Sequence, residues 1–300
     1  MRFASDNSGP VHPKVMEALQ AANDGWALPY GNDPWTQRAI EKIWDIFEYP
    51  NAAVFLTATG SAANALALAT MTKPYQTIFC TPEAHIEEDE CNAPEFYTGG
   101  AKLTLVASIH AKMDPAALQD RLAVKPSLHN AQWGPLSLTQ VTERGTLYTL
   151  DELNALTDIA KTQGLPVHLD GARFANALVA LECSPADMTW KAGVDIVSFG
   201  GTKNGLMGAE AVVIFNDELA WDFELRRKRG GHLFSKSRYL GAQMDAYLAD
   251  DLWLDMAKKA NAAGHKLALG LDKIEGVTLR HTAEANMVFA NLPTPAHRRL

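Results

Sequence analysis

A lysine stands at the end of an apolar run in the stretch VSFGGTKNG, which spans Val197 to Gly205. An ammonium group there is costly to desolvate unless it has a partner or a chemical role. A lysine amine that desolvation and nearby positive charge keep deprotonated can form a Schiff base with a carbonyl compound. Lys203 is therefore a candidate for covalent catalysis, although a structural lysine in an ion pair is the more common explanation for any single lysine.

A carboxylate and a guanidinium follow a second apolar run, in the stretch PVHLDGARFANA. Asp170 comes directly after the run, and Arg173 lies three residues further on. Since Lys203 follows Asp170 by 33 residues, one strand–helix–strand unit, we expect both side chains at the same edge of a sheet. Asp170 could face a cationic ring nitrogen, and Arg173 could clamp a ligand carboxylate. A helix cap and a surface arginine would explain the same two residues without a ligand.

A third strand end, LTATGSAAN, turns into a helix through Gly60 and Ser61. Free N–H groups and hydroxyls at a helix N-terminus favour an anion, although this stretch taken alone is better explained as an ordinary capped turn. Neither a G-x-x-x-x-G-K-[ST] nor a G-x-G-x-x-G pattern stands nearby. A phosphate for this turn, a ring nitrogen for Asp170 and an aldehyde for Lys203 together describe pyridoxal phosphate.

The acidic stretch EAHIEEDEC is the remaining chemical candidate. His85, Glu88 and Asp89 have the spacing of neighbours on one face of a helix, so they could hold a divalent metal. An acidic, solvated face explains the same residues, and one histidine with two acids is weak support for zinc.

Apolar, β-rich runs with helical patterns between them indicate the elements that position these residues. Several runs are apolar without alternation, which is typical of strands covered on both faces. The order favours an α/β fold with a mostly parallel sheet of about seven strands, in which ligands bind beyond the carboxyl ends. The predicted strands are Ala53–Thr57, Thr77–Cys80, Leu103–Ala107, Leu136–Val141, Pro166–Leu169, Asp195–Phe199 and Ala211–Phe215. Helices are predicted after Gly60, after a cap at Asp114, and from Thr149 to a stop at Gly164.

The pattern changes near Arg226, where the basic stretch RRKRGGH interrupts the alternation of strands and helices. A long helical pattern over 252–274 comes next, and two strand-like pieces follow it, Val277–Arg280 and Asn286–Ala290. We therefore predict a second, smaller α+β unit after this change.

The predicted boundary gives a large domain over 1–239 and a small domain over 240–300. Thr294 and Pro295 have the types of a helix cap and a first helical residue. Such a helix would reach Leu300 after barely two turns, so we expect the small domain to be incomplete.

Composition limits the class of protein. The 300 residues are 47% hydrophobic and 21% charged, which is ordinary for a soluble enzyme with a large core. The net charge of −8 argues against nucleic acid as a partner. No apolar run approaches the length of a membrane span, and the N-terminus lacks the apolar region of a signal peptide. The three cysteines fit no zinc or disulfide pattern, so we expect reduced thiols in the cytoplasm.

The order of the motifs SDNSG, PYGNDP, TATGSAAN, EAH, HLDGARFANA and SFGGTKNG resembles that of the L-threonine aldolases of the low-specificity type. These enzymes belong to the β-eliminating lyase group of fold type I enzymes that depend on pyridoxal phosphate. The resemblance runs from about residue 5 to residue 290. It implies an aspartate aminotransferase-like large domain, an amino-acid substrate, and a homodimer or homotetramer.

The resemblance also implies a role for each matching residue. Lys203 would carry the cofactor, Asp170 would pair with its ring nitrogen, and His85 would stack on the ring. Gly60, Ser61 and Thr202 would complete the cofactor site. Ser5 and Arg173 would bind the substrate carboxylate, and Tyr30 would reach the site of a neighbouring subunit.

The chain departs from the family pattern at two points. Where the family's better-known branch has a histidine in a T-H-N-G stretch, this chain has TERG, so Glu143 stands in its place. A second carboxylate-binding arginine that the family usually supplies from the small domain has no match in this chain.

We therefore predict an enzyme that cleaves L-threonine or L-allo-threonine to glycine and an aldehyde. The sequence favours His85 as the essential base and Asp89 as its helper or as a residue that sets aldehyde specificity, with Glu143 as the next candidate for the base. An aminotransferase or a β-eliminating lyase would share the cofactor residues. The sequence is also compatible with a metal-dependent hydrolase that uses His85, Glu88 and Asp89, and with an inactive binding protein of the same fold.

Overall fold

The computed structural model describes residues 5–297, and a seven-stranded sheet lies at its centre. The strands are β1 (Ala53–Thr57), β2 (Gln76–Cys80), β3 (Lys102–Leu105), β4 (Ser108–Ile109), β5 (Lys112–Met113), β6 (Gln132–Thr139), β7 (Val167–Gly171), β8 (Ile196–Gly200), β9 (Glu210–Ile214), β10 (Thr278–Leu279) and β11 (Ala290–Asn291). The helices are α1 (Pro13–Ala22), α2 (Pro34–Ile46), α3 (Gly60–Met71), α4 (His85–Glu88), α5 (Ala93–Thr98), α6 (Pro115–Ala123), α7 (Leu150–Thr162), α8 (Phe174–Leu181), α9 (Ala220–Arg229), α10 (Arg238–Tyr247), α11 (Leu252–Leu271) and α12 (Thr294–His297).

The main sheet has the order β1-β9-β8-β7-β6-β2-β3. The pairings from β8 to β3 are parallel, whereas β9 runs antiparallel to both of its neighbours. The predicted α/β class and the mostly parallel sheet of seven strands are therefore confirmed.

The direction of the strands brings the predicted site residues to one edge. Because β9 is reversed between β1 and β8, those two strands are parallel, and their carboxyl ends meet the first residue of β9. In the register, Glu210 lies opposite both Thr57 and Gly200. The carboxyl ends of β7, β6 and β2 share this edge, so the turns that follow the strands all open on the same side of the sheet.

Apolar layers cover both faces of the sheet, which explains why apolar and polar residues do not alternate along the strands. On β8, Ile196 packs in a cluster with the buried face of α3, whereas the next residue, Val197, packs in a cluster on the opposite face. Strands β7, β8 and β9 are buried along their whole length.

The predicted helix caps and the predicted helix stop are found at the predicted residues. Asp114 caps α6, and Thr149 forms a reciprocal capping box with Glu152 at the start of α7. Gly164, just beyond α7, has a φ of +69°, which a glycine adopts without steric cost. The last predicted helix begins at Thr294 itself.

The C-terminal part consists of α11, the short antiparallel pair β10–β11 and α12. The predicted boundary at residue 240 falls inside α10, which packs on α1 and α2 of the preceding part. The division into domains at that residue stays a prediction. Over residues 5–297, no helix has both the length and the apolar character needed to cross a membrane.

The two adjacent glycines of the stretch SFGGTKNG, Gly200 and Gly201, are required by close packing. A Cβ on Gly200 would lie 2.5 Å from the carbonyl oxygen of Ala172, in the turn that follows Asp170. A Cβ on Gly201 would collide with Leu206 and lie 2.7 Å from the carbonyl oxygen of Ala209. The turn after β7 and the turn after β8 therefore touch through their backbones.

We expect Gly200→Ala to lower the melting temperature, because backbone atoms of Ala172 cannot move aside as a flexible side chain could. Overpacking of this kind costs about 1–3 kcal/mol. Gly270→Ala in α11 is the control, since a Cβ there meets nothing within 4 Å and alanine in a helix is favoured over glycine by about 0.5–1 kcal/mol. Circular dichroism melts of the two variants would contradict the packing argument if both behaved alike.

Candidate active site

Asp170 is a buried carboxylate at the end of β7, only 3% exposed. Its Oδ1 accepts a hydrogen bond from the backbone N–H of Ala172 at 2.9 Å, and its Oδ2 accepts one from Asn64 Nδ2 at 2.8 Å. These donors hold the carboxylate at the edge of the sheet with acceptor capacity left for a ligand, since each carboxylate oxygen has two lone pairs.

Lys203 lies in a single 3-10 turn, Thr202–Asn204, directly after β8. Asn204 anchors the turn, because its Nδ2 donates to the hydroxyl of Tyr247 at 2.8 Å and to the carbonyl of Trp253 at 2.9 Å. Within residues 5–297 the partly buried ammonium of Lys203 has neither a hydrogen bond nor an ion pair. The amine of Lys203 is therefore available for covalent attachment of a ligand.

Glu210 is a buried acid beneath the lysine turn that the sequence did not single out. Its Oε2 accepts a hydrogen bond from the N–H of Gly201 at 2.7 Å. Burial raises the pKa of Glu210 to about 7, while hydrogen bonding and the nearby charge of Lys203 act in the opposite direction. Thr202, predicted as a cofactor contact, accepts from the N–H of Ala209 at 3.3 Å.

Helix α3 begins at Gly60 with an open N-terminus. Thr59 caps the helix by accepting from the N–H of Ala62 at 3.2 Å, which leaves the N–H groups of Gly60 and Ser61 without an acceptor in the described chain. A Cβ on Gly60 would have open space within 4 Å. This helix of 12 residues therefore offers room and donors for an anion.

His85 begins α4, directly beyond the end of β2, and is partly buried. Its Nδ1 lies 2.9 Å from Oε1 of Glu90, and that oxygen also accepts from Asn64 Nδ2 at 2.9 Å. Asn64 thus connects the carboxylates of Asp170 and Glu90. The hydrogen bond with Glu90 raises the pKa of His85, and the charge of Asp170 adds to this effect.

The structure places Asp89 at the surface, and the neighbouring Glu90 makes the contact to the imidazole. Asp89 is the C-cap of α4: its N–H still bonds to the carbonyl of His85 at 2.9 Å, but its φ of −128° departs from the helix. The chain then passes through two left-handed residues, Cys91 and Asn92. Glu90, which the sequence did not single out, is 5% exposed.

The metal site at His85, Glu88 and Asp89 that the sequence left open as an alternative does not form. Glu88 instead bonds to Nη2 of Arg144 at 3.2 Å. Across the residues with described positions, no group of three or more histidine, cysteine, aspartate or glutamate side chains has the arrangement that holds a metal ion.

Glu143 stands beside His85, after β6. Its Oε1 accepts hydrogen bonds from the backbone N–H of His85 at 2.7 Å and from the hydroxyl of Thr139 at 2.9 Å. Its Oε2 is buried and has no hydrogen-bond partner among the described residues. Burial, with a contribution from the charge of Asp170, raises the pKa of Glu143 to about 7.

Arg173 is held by Asp6, from the first turn of the described chain. Nε of Arg173 donates to Oδ2 of Asp6 at 2.6 Å, and Nη2 donates to Oδ1 at 3.0 Å. Ser5 is exposed and accepts from the backbone and the side chain of Asn7, each at 3.2 Å. Ser5 therefore lies in the same turn as the residue that contacts Arg173.

Tyr30 is an exposed residue on the surface of this chain. It adopts a left-handed φ of 61°, is 45% exposed, and has the ammonium of Lys228 5.0 Å from its ring centroid. It lines a cavity of about 190 Å³ together with Arg227 and Phe234. No hydrogen bond joins it to Lys203, Asp170 or His85 within residues 5–297 of this chain.

Comparison with known proteins places this arrangement in a family. The model of the beta-eliminating lyase family matches residues 2–293. The low specificity L-threonine aldolase of Pseudomonas aeruginosa is 44% identical over 295 residues, which cover 98% of this chain and 85% of that protein. A solved threonine aldolase of Leishmania major superposes with a TM-score of 0.94 at 28% identity, covering 99% of this chain and 86% of that one.

The likeness extends to more distant enzymes at the level of the fold. An aspartate aminotransferase from Thermus thermophilus has a TM-score of 0.71 at 15% identity, and it covers 92% of this chain and 72% of that one. At that identity only the architecture is shared. The predicted aspartate aminotransferase-like fold is confirmed.

We expect Glu90→Gln to lower the pKa of His85, because it removes the carboxylate that favours the protonated imidazole. NMR titration of the imidazole in protein freed of small molecules measures this directly. Asp89→Asn is the matched control, since Asp89 is exposed and makes no contact with the ring. A pKa that moved in the Asp89 variant and not in the Glu90 variant would contradict the assignment.

Proposed function

The chain belongs to the beta-eliminating lyase family, and we propose that it is an aldolase that uses pyridoxal phosphate to cleave L-threonine and related β-hydroxy-α-amino acids to glycine and an aldehyde. The observation that carries this function is the meeting of Lys203, Asp170 and His85 at one sheet edge, in the order of a threonine aldolase. The 44% identity to a low specificity L-threonine aldolase supports the reaction class.

The residues at the edge fit the cofactor. Lys203 is an amine without a protein partner in the described chain, Asp170 is a buried carboxylate with acceptor capacity, and α3 presents free N–H groups at Gly60 and Ser61. These would bind the aldehyde carbon, the ring nitrogen and the phosphate, respectively. When bound, the protonated pyridine ring supplies a sink for the electron pair released at the substrate Cα.

Arg173 orients the substrate. Its guanidinium binds the α-carboxylate, with Ser5 as a second contact from the adjacent turn. When the carboxylate is fixed, the substrate cannot rotate freely about the bonds to Cα. This contact therefore decides whether the Cα–Cβ bond is perpendicular to the cofactor ring, the orientation in which it can break. An aminotransferase would use the same cofactor residues, and release of acetaldehyde from threonine distinguishes the two reactions.

Glu143 removes the proton of the β-hydroxyl group. It is the better candidate than His85, because Nδ1 of His85 is already occupied by Glu90 and the ring of His85 is assigned to stacking on the cofactor. The buried, unpartnered Oε2 of Glu143 is an acceptor that a substrate hydroxyl would satisfy. Loss of that proton forms the aldehyde C=O as the Cα–Cβ bond breaks, and a proton delivered to Cα completes glycine. His85 remains the group that stacks on the ring.

The enzyme acts as a homo-oligomer in the cytoplasm. Tyr30 is exposed and has no hydrogen bond to the lysine turn within the described residues of its own chain, which suits the role of a tyrosine lent to a neighbouring subunit. Oligomers with sites at their interfaces are common. The three cysteines are free thiols, as expected in a reducing compartment.

Lys203→Ala is expected to abolish covalent cofactor binding and the release of acetaldehyde from L-threonine. Borohydride treatment of the yellow wild-type protein fixes the cofactor to its lysine, and the peptide that contains Lys203 is expected to carry the label. Lys191→Ala is the control, since Lys191 pairs with Glu48 at the surface. A label on any other lysine would overturn this assignment.

Glu143→Gln is expected to lower kcat by about a hundredfold or more, the usual contribution of a general base. A base acts when it is deprotonated, and the pKa of Glu143 is raised to about 7, so wild-type activity rises as the pH increases through 7. The variant should lose this limb of the profile. His85→Phe, which keeps a flat ring, should retain the limb at reduced activity; if it removes the limb instead, the base is His85.

A further inference from the structure

The contact between Asp6 and Arg173 uses only one side of the guanidinium. Asp6 accepts from Nε and Nη2, which form the side edge of the group. Nη1 has no hydrogen-bond partner within residues 5–297. The end edge of the guanidinium, formed by Nη1 and the second hydrogen of Nη2, is therefore available to another carboxylate.

Asp6 is itself fixed from the far end of the chain. Asn286 Nδ2 donates to Oδ2 of Asp6 at 3.2 Å. Asn286 cannot shift easily, because its segment lies directly on α11, where a Cβ on Gly264 would stand 3.3 Å from Asn286 Cα. The carboxylate of Asp6 thus accepts from both Arg173 and Asn286, and the guanidinium of Arg173 is oriented by two parallel bonds.

Asp6 and Arg173 are both mostly buried, with 17% and 14% of their side chains exposed. Burial acts against ionisation of Asp6, but the hydrogen bond and charge of Arg173, together with the charge of Lys203, lower its pKa overall. Asp6 is consequently an anion at neutral pH. In this partly desolvated place, a bidentate ion pair restricts the rotation of the arginine more than an exposed pair would.

We propose that Asp6 is a positioning residue that holds the end edge of Arg173 toward the α-carboxylate of the amino-acid substrate. The proposal rests on the proposed role of Arg173 as the carboxylate-binding residue. The opposite possibility is that Asp6 competes with the substrate for the guanidinium, in which case its removal would strengthen binding. The side-on geometry favours positioning, because the end edge is left free.

The test compares two small amines that bind the holoenzyme and change its visible spectrum. Glycine carries the carboxylate that Arg173 would bind, and methylamine lacks it. In Asp6→Asn and Asp6→Ala, we expect the affinity for glycine to fall by about tenfold, as loss of an oriented charge-assisted contact does, and KM for L-threonine to rise with it. The affinity for methylamine and kcat should change far less.

Asp222→Asn is the matched control. Asp222 accepts from Nε of Arg226 at the same distance of 2.6 Å, but this pair is more exposed than Asp6 and Arg173 and lies on α9. Asp222→Asn should leave the affinities for glycine and for methylamine unchanged. Asp6→Asn keeps the size of the side chain, so it decides the matter if Asp6→Ala does not fold.

Tighter binding of glycine, unchanged binding of glycine, or equal weakening of glycine and methylamine would each overturn the positioning role. Arg173→Ala tests the premise, since glycine affinity must fall in that variant if Arg173 binds the carboxylate. The amine titrations do not depend on carbon–carbon cleavage, so a wild-type enzyme that released no acetaldehyde would count against the proposed function alone.

Discussion

A carboxylate buried at the end of a central strand can stay ionised only where donors surround it, and the site is built around this requirement. Asp170 receives one hydrogen bond from its own turn and one from Asn64 on α3. Asn64 also binds Glu90, which holds the ring of His85, whose backbone N–H binds Glu143. A single network therefore joins turns that follow three different strands.

The same network sets the protonation of its members. Burial raises the pKa values of Glu90 and Glu143, and the charge of Asp170 adds to this effect, while the hydrogen bond and the charge of His85 lower the pKa of Glu90. Glu143 titrates near neutrality, whereas the neighbouring imidazole of His85 favours its protonated form. Neither side chain would behave in this way in water.

The main sheet was predictable because its strands are apolar on both faces and separated by strong helix caps. The hairpin of β4 and β5 was not, since each strand has two residues and the connection depends on left-handed backbone at His110 and Ala111. The strand-end positions of Lys203 and Asp170 follow from sequence order alone. Sequence order does not reveal the roles of Glu90, Glu210 and Asp6. The position of Glu90 depends on where α4 ends, and that of Glu210 depends on the reversal of β9. The pairing of Asp6 with Arg173 depends on a contact between distant segments.

The reversed β9 also has a consequence for biosynthesis. Strand β1 pairs only with β9 in the described sheet, so on the ribosome it has no partner until about 150 further residues have been made. At about 5–20 residues per second this interval is on the order of 10 s, during which an apolar strand edge is unprotected. Helix α3, whose buried face is almost entirely alanine and leucine, follows β1 immediately and can cover part of that surface in the nascent chain. Strand β9 begins at the sheet edge that carries Lys203, and its formation also ends the exposure of β1.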